Sequence, residues 1–147
     1  MSFKKNALIV DDTAANRMVF ERLISQANFD VLSAATGRDA LAISETLEQL
    51  SLAIIDMQMP DSSGLEIVKR LRMQFPSACL VMATMHDERS LMESSFKRGC
   101  DVFLVKPHGL MELYKQLMAI GTAGLHEKRP LVFDTYGMRT FHMNADV

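Results

Sequence analysis

The 147-residue chain has no tryptophan, two cysteines and four prolines. Cys79 and Cys100 both lie in apolar surroundings, which excludes a disulfide-stapled secreted scaffold and fits reduced core thiols of a cytosolic protein. Neither sign of charge dominates: 16 Lys+Arg stand against 18 Asp+Glu, a net charge of −2. That balance argues against a chain devoted to neutralising phosphates, so no direct nucleic-acid partner is expected. Long apolar runs are missing as well. Ala7–Val10 and Cys79–Ala83 fall far short of a bilayer span, and no membrane contact is expected. The opening Met1-Ser2-Phe3-Lys4-Lys5 lacks the length and cleavage site of a secretory signal, so a cytoplasmic location is expected. Apolar residues, in contrast, make up 48% of the chain, enough for a self-sufficient core.

The apolar pattern changes period repeatedly along the chain. Ala7–Val10, Val31–Ala34, Leu52–Ile55, Cys79–Ala83 and Val102–Val105 are short continuous runs of the kind that strands buried on both faces show. Between and after them, 13–27, 37–50, 65–76, 87–98 and 109–120 carry apolar residues at helical spacing. Five strand–helix units predict a doubly wound α/β domain with a five-stranded parallel sheet.

In such sheets ligands bind beyond the carboxyl ends of the strands. Asp11-Asp12 ends the first strand, Asp56 the third, Thr84 the fourth and Lys106 the fifth. Asp12 could serve only as a helix N-cap. Asp56 is harder to explain that way, because the next helix starts beyond Pro60 and Gly64. Three carboxylates in one crevice repel one another unless a cation intervenes, and a hard ion with oxygen ligands, Mg²⁺, suits them. Soft metals are not expected, since His86, His108, His126 and His142 show no ligand spacing. A carboxylate nucleophile, Mg²⁺, a lysine and a hydroxyl are the parts that phosphoryl transfer to an aspartate requires.

Leu8-Ile9-Val10-Asp11-Asp12, the segment Ile54 to Gly64 around Asp56, Ala83-Thr84 and Val105-Lys106-Pro107 together resemble the receiver domain of bacterial two-component response regulators, over residues 6–120. The resemblance implies a flavodoxin-like fold with strand order 2-1-3-4-5. It makes Asp56 the phosphoacceptor, with Mg²⁺ held by Asp11, Asp12, Asp56 and the backbone carbonyl of Gln58. Lys106 would pair with the phosphoryl group and Thr84 would hydrogen-bond to it, while Thr84 and Phe103 would form the switch. The Lys106–Pro107 bond is expected to be cis. The readout surface would be the fourth helix, fifth strand and fifth helix. Met85 and His108 stand where the family more often has a small residue and a phenylalanine. His86 and Gln58 occupy positions that tune phosphoryl lifetime.

The resemblance therefore implies a phosphorylation-dependent switch, which takes its phosphoryl group from a histidine kinase or phosphotransfer protein. Its catalysis would be limited to its own phosphorylation and dephosphorylation. It would act on a downstream protein through the readout face or through residues 121–147. The alternative is a receiver-like interaction module independent of phosphate. A phosphohydrolase of the haloacid dehalogenase type fits poorly, because its two aspartates are separated by one residue and Asp11 and Asp12 are adjacent.

The tail, 121–147, lies outside the resemblance. Gly121-Thr122-Ala123-Gly124 reads as a linker, and Leu131-Val132-Phe133 and Arg139–His142 as short strands around a Tyr136-Gly137 turn. Either an unordered terminus or a docking or dimerisation segment, including a homodimer contact, is expected there. The twelve methionines are read first as adaptable core filling, and second as a plastic binding surface.

Overall fold

The computed structural model describes residues 4–143. The elements are β1 (Lys5–Val10), α1 (Ala14–Gln26), β2 (Phe29–Ala34), α2 (Gly37–Glu45), β3 (Leu52–Asp56), α3 (Gly64–Gln74), β4 (Cys79–Thr84), α4 (Arg89–Lys97), β5 (Val102–Val105), α5 (Gly109–Glu127), β6 (Leu131–Asp134) and β7 (Gly137–Thr140). They build a single seven-stranded sheet in the order β2-β1-β3-β4-β5-β6-β7. The expected parallel core, 2-1-3-4-5, is present, and the tail extends it by two strands. β6 runs parallel to β5, and β7 returns antiparallel to β6.

The continuous apolar runs are strands because both their faces are covered. Leu8, Val10, Ala53 and Ile55 pack on the side that carries Ile67, Val68 and Leu71 of α3. Ala7, Ile9, Leu52 and Ile54 pack on the other side, with Phe20 and Ile24 of α1 and Leu113 and Leu117 of α5. Local chemistry sets the helix starts. The Thr36 hydroxyl accepts the Asp39 N–H at α2, and the Ser63 hydroxyl accepts the Leu65 N–H at α3. α2 ends at Glu45 rather than running to Leu50, because the chain turns at Thr46, whose hydroxyl donates to the Ile43 carbonyl. Leu50 is nevertheless buried.

The linker reading of 121–124 and the unordered terminus do not describe residues 121–143. Helical structure resumes after Gly121, whose φ of 70° breaks the axis of α5. Thr122 and Leu125 of this last segment are buried. Leu131, Val132, Phe133 and Phe141 are buried too, and each contributes about 1.5–3 kcal/mol by leaving water. Their sum is comparable with the whole stability of an ordinary domain, about 5–15 kcal/mol.

Truncation after Ile120 bares the edge of β5 together with the residues β6 covers. The shortened chain is expected to melt more than about 10 °C lower than the parent, or to aggregate. Coincident thermal unfolding curves for the two would show that the hairpin is not part of the cooperative unit.

Candidate functional site

Strand register brings the site together. Val10 pairs with Ile55, Asp56 with Ala83, and Thr84 with Val105. The next residue along each of β1 and β5 is Asp11 and Lys106, so the carboxyl ends of four strands open on one place, with Lys106 two residues beyond the level of Asp11. Asp12, Asp56, Gln58, Thr84 and Lys106 line one open cleft of about 270 Å³, with Thr13, Asn16, Met85 and His86. Asp11 lies buried beside it.

Within the cleft, one carboxylate oxygen from each of Asp11, Asp12 and Asp56 falls within 4.8 Å of the others. Lys106 Nζ is 3.0 Å from Asp11 Oδ2. Asp11 Oδ1 accepts the Thr13 N–H at 2.9 Å, and the Asp11 carbonyl accepts from Arg17 at 2.8 Å. Thr13 occupies the N-cap position of α1. The N-cap position considered for Asp12 thus belongs to Thr13, which makes no side-chain cap bond, and Asp12 lines the cleft. Thr84 is buried at the cleft floor, and its hydroxyl accepts the His86 N–H at 3.2 Å. The Lys106–Pro107 peptide bond is cis.

Electrostatics set Asp56 apart. Burial pushes its carboxyl above the ordinary value of 3.8, and the charges of Asp11 and Asp12 push the same way. Lys106 and the Gln58 N–H oppose the rise without cancelling it. One lysine facing three carboxylates, whose oxygens are all hard donors on one side of a water-accessible cleft, leaves a charge deficit. A small divalent cation such as Mg²⁺ fits that donor set. The two thiols are no competing ligands: burial pushes Cys79 up and Cys100 up to about 12, so both stay protonated.

The surrounding loop is fixed by contacts that the motifs alone did not reveal. A Cβ on Gly64 would sit 2.1 Å from the Asp56 carbonyl oxygen, so only glycine lets α3 start this close to Asp56. Asp61 accepts the N–H groups of Gly37 at 2.8 Å and Arg38 at 2.9 Å, tying the loop after Asp56 to the start of α2. Those donors hold the Asp61 carboxyl below its ordinary value, Arg38 foremost. Asn16 and Thr13 line the cleft without having been singled out in the sequence. Asn16 lies on a helix with no motif to mark it, whereas the Gly64 requirement was open to inference from the glycine that closes the acceptor loop.

Residues 7–118 match the family model described as response regulator receiver domain. The chain belongs to the response regulator receiver domain family. The chemotaxis protein CheY of Thermotoga maritima is 30% identical over 104 residues, covering 70% of this chain and 86% of that protein. Sporulation initiation phosphotransferase F of Bacillus subtilis is 28% identical over 106 residues, covering 72% of this chain and 85% of its own length. Among solved structures, chemotaxis protein CheY4 of Vibrio cholerae superposes with a TM-score of 0.72 at 29% identity, over 80% of this chain and 98% of that one. Other curated relatives are longer. This chain spans 48% of the Bacillus subtilis alkaline phosphatase synthesis transcriptional regulatory protein PhoP and 27% of a Thermotoga maritima cyclic di-GMP phosphodiesterase.

Asp11, Asp12, Asp56, Gln58, Thr84 and Lys106 sit together at the cleft, and Phe103, expected as a switch residue on the fifth strand, lies on β5 outside the cleft lining. It is fully buried in β5 opposite Val132 of β6. Met85 is exposed at the cleft rim, and His86 and His108 are exposed in loops. Among the described residues, no helix is long and apolar enough to cross a membrane.

A carboxyl whose folded pKa is raised costs nothing below its unfolded value; the cost grows as pH rises above that value and is complete once pH has passed the folded pKa. Asp56→Asn is therefore expected to melt above the parent at pH 7 without Mg²⁺, and the gain is expected to shrink as pH falls towards 4. Added Mg²⁺ should raise the melting temperature of the parent and do much less for the variant. Equal melting temperatures for parent and variant at pH 7 would remove the claim that ionised Asp56 is unfavourable. Gly64→Ala should lose about 1–3 kcal/mol through its clash with the Asp56 carbonyl, read from denaturant unfolding.

Proposed function

We propose that this receiver is a phosphorylation-dependent signalling switch that accepts a phosphoryl group on Asp56. The observation that carries the reading is the convergence of Asp11, Asp12 and Asp56 with Lys106 and Thr84 at one set of strand ends. A carboxylate oxygen of Asp56 attacks phosphorus, the new O–P bond forms, and the bond from phosphorus to the donor's leaving atom breaks. Asp11, Asp12, Asp56 and the Gln58 carbonyl would hold Mg²⁺, which when bound neutralises charge on the transferring oxygens. Lys106 pairs with one of those oxygens, and the Thr84 hydroxyl donates to another once the group is in place. The raised pKa of Asp56 reflects the same crowding of charge that the cation relieves.

The donor is a histidine kinase or a phosphotransfer protein. An apolar groove of about 440 Å³ between α1 and α5, lined by Met18, Val19, Leu23, Leu110 and Met111, supports this reading. Beside it, Val19, Met85, Lys106 and Leu110 line a second hollow, which reaches the site itself. A helical donor laid along the groove brings its phosphohistidine to Asp56. Met18, Met85 and Met111 are among the most exposed apolar side chains, so here the methionines serve as an adaptable surface. Met57, Met59, Met82 and Met92 are buried filling. The only chemistry the chain performs is on its own aspartyl phosphate, and two buried, unpaired thiols suit a cytoplasmic setting. A phosphate-independent module is the weaker reading, because it leaves the unbalanced carboxylates without a purpose.

Incubation with acetyl phosphate and Mg²⁺, followed by intact-mass measurement, tests the reading. The parent is expected to gain the mass of one phosphoryl group and Asp56→Asn none. A parent that gains nothing from acetyl phosphate or from a phosphorylated histidine donor would point to the phosphate-independent module.

A further inference from the structure

β5 has no bare edge in this chain. Phe103 lies opposite Val132 of β6, and neither is exposed to solvent. Beyond β7 the chain folds back over α4. The Phe141 N–H donates to the Pro130 carbonyl at 2.9 Å, and the Phe141 ring lies 5.0 Å from the Phe96 ring of α4. The Arg89 guanidinium stands over the Phe141 ring at 4.4 Å and also donates to the His142 carbonyl. Glu93, one turn along α4, faces Arg89 Nε at 3.4 Å. Arg89, at the first turn of α4, thus grips the segment Phe141–Met143 from above while Phe96 supports it from the side.

The grip sits on a weakly anchored element. α4 has nine residues, no side-chain N-cap bond, and only Met92 and Ser95 buried. Residues 85–90, leading into it, are exposed. Their firmest tie to the site is the His86 N–H, bonded to the Thr84 hydroxyl and three residues before Arg89.

We propose that the segment Phe141–Met143 is a latch on α4 that the phosphorylation state of Asp56 opens and closes. The proposal rests on Asp56 being the phosphoacceptor. When the Thr84 hydroxyl turns to a phosphoryl oxygen, the His86 N–H loses its acceptor, and the short loop that positions Arg89 is released. Stacking of a guanidinium on a ring fades beyond about 6 Å, so a displacement of Arg89 removes one of the contacts that hold Phe141 and leaves its burial against Phe96 and the core to be overcome. The closed state is favoured by the Thr84–His86 and Arg89–Phe141 contacts, and the open state by the Thr84–phosphoryl contact that the closed state lacks. Opening uncovers the aromatic side chains of Phe96 and Phe141 on the readout side of the domain. The output surface is then a segment of the chain itself, not the strand edge.

Amide exchange followed by NMR on the full chain, with intact mass measured on the same samples, tests the latch. Phosphorylation by acetyl phosphate and Mg²⁺ is expected to speed exchange of the Phe141 amide by about tenfold or more, leaving Val132 and Phe133 protected. Arg89→Ala, which alters no residue lining the cleft, is expected to show that fast exchange without phosphate while still gaining the phosphoryl mass. A phosphorylated parent whose Phe141 amide stays protected overturns the latch and leaves the phosphoacceptor reading intact. Continued protection of Phe141 in unphosphorylated Arg89→Ala overturns it as well. Absence of any mass gain in the parent removes the acceptor reading and the latch with it.

Discussion

The ion pair between Lys106 and Asp11 reaches across the ends of β3 and β4 to join β1 to β5. Both partners are largely withdrawn from water, and removing one would leave the other charged and buried, a loss of about 3–5 kcal/mol. The pair depends on the register of four strands: one set of neighbouring rungs runs through Val10, Ile55, Met82 and Phe103, so β5 extends far enough past β1 for Lys106 to reach back to Asp11. The pair also consumes the one lysine of the cleft. Asp12 and Asp56 are left close to Asp11 without a full counter-charge, a shortfall that a cation bound among the three would relieve.

The opposite end of the sheet handles a buried carboxylate differently. Asp101 is fully buried, and its Oδ2 accepts from Arg72 at 2.6 Å and from the Leu80 N–H at 2.9 Å. His126 Nδ1 lies 3.0 Å from its Oδ1. Arg72 in turn donates to the carbonyls of Gly99, Pro76 and Ala78. Both oxygens of the Asp101 carboxylate have partners, so its role is architectural: α3, β4, the start of β5 and the last turn of α5 are pinned at one point. A domain with one satisfied end and one unsatisfied end has its chemistry localised by electrostatics before any ligand arrives.

The core and the cleft were legible in the sequence because both depend on local signals. Four apolar residues followed by aspartate, at Ala7–Asp11 and at Leu52–Asp56, state at once that a strand is buried and that its end is polar. The tail was less legible because its signals conflict. Gly121 and Gly124 resemble a linker, yet one supplies a positive φ at a helix break and the other packs within the next turn. Leu131-Val132-Phe133 was readable as a strand, but a three-residue apolar run does not say which edge it will join. That depends on the length of α5, which returns the chain beside β5 in a right-handed crossover. Arg89 and Phe141 carry no motif, and their meeting depends on where the hairpin ends.

Covering β5 changes what an aromatic at position 103 can do. A ring on an edge strand has two places to be, inside or at the surface. In this chain Val132 stands beside Phe103, and Met82, Met92 and Phe141 belong to the same buried cluster. An outward place for the ring would require β6 to leave, at the loss of Leu131, Val132 and Phe133 burial together. Close-packed interiors resist such continuous deformation and yield at their weakest boundary. That boundary is α4, which buries two side chains where β6 buries three and presents its first turn to solvent. In the proposed latch, motion that starts at Thr84 therefore has an easier exit along the loop to Arg89 than through the ring of Phe103.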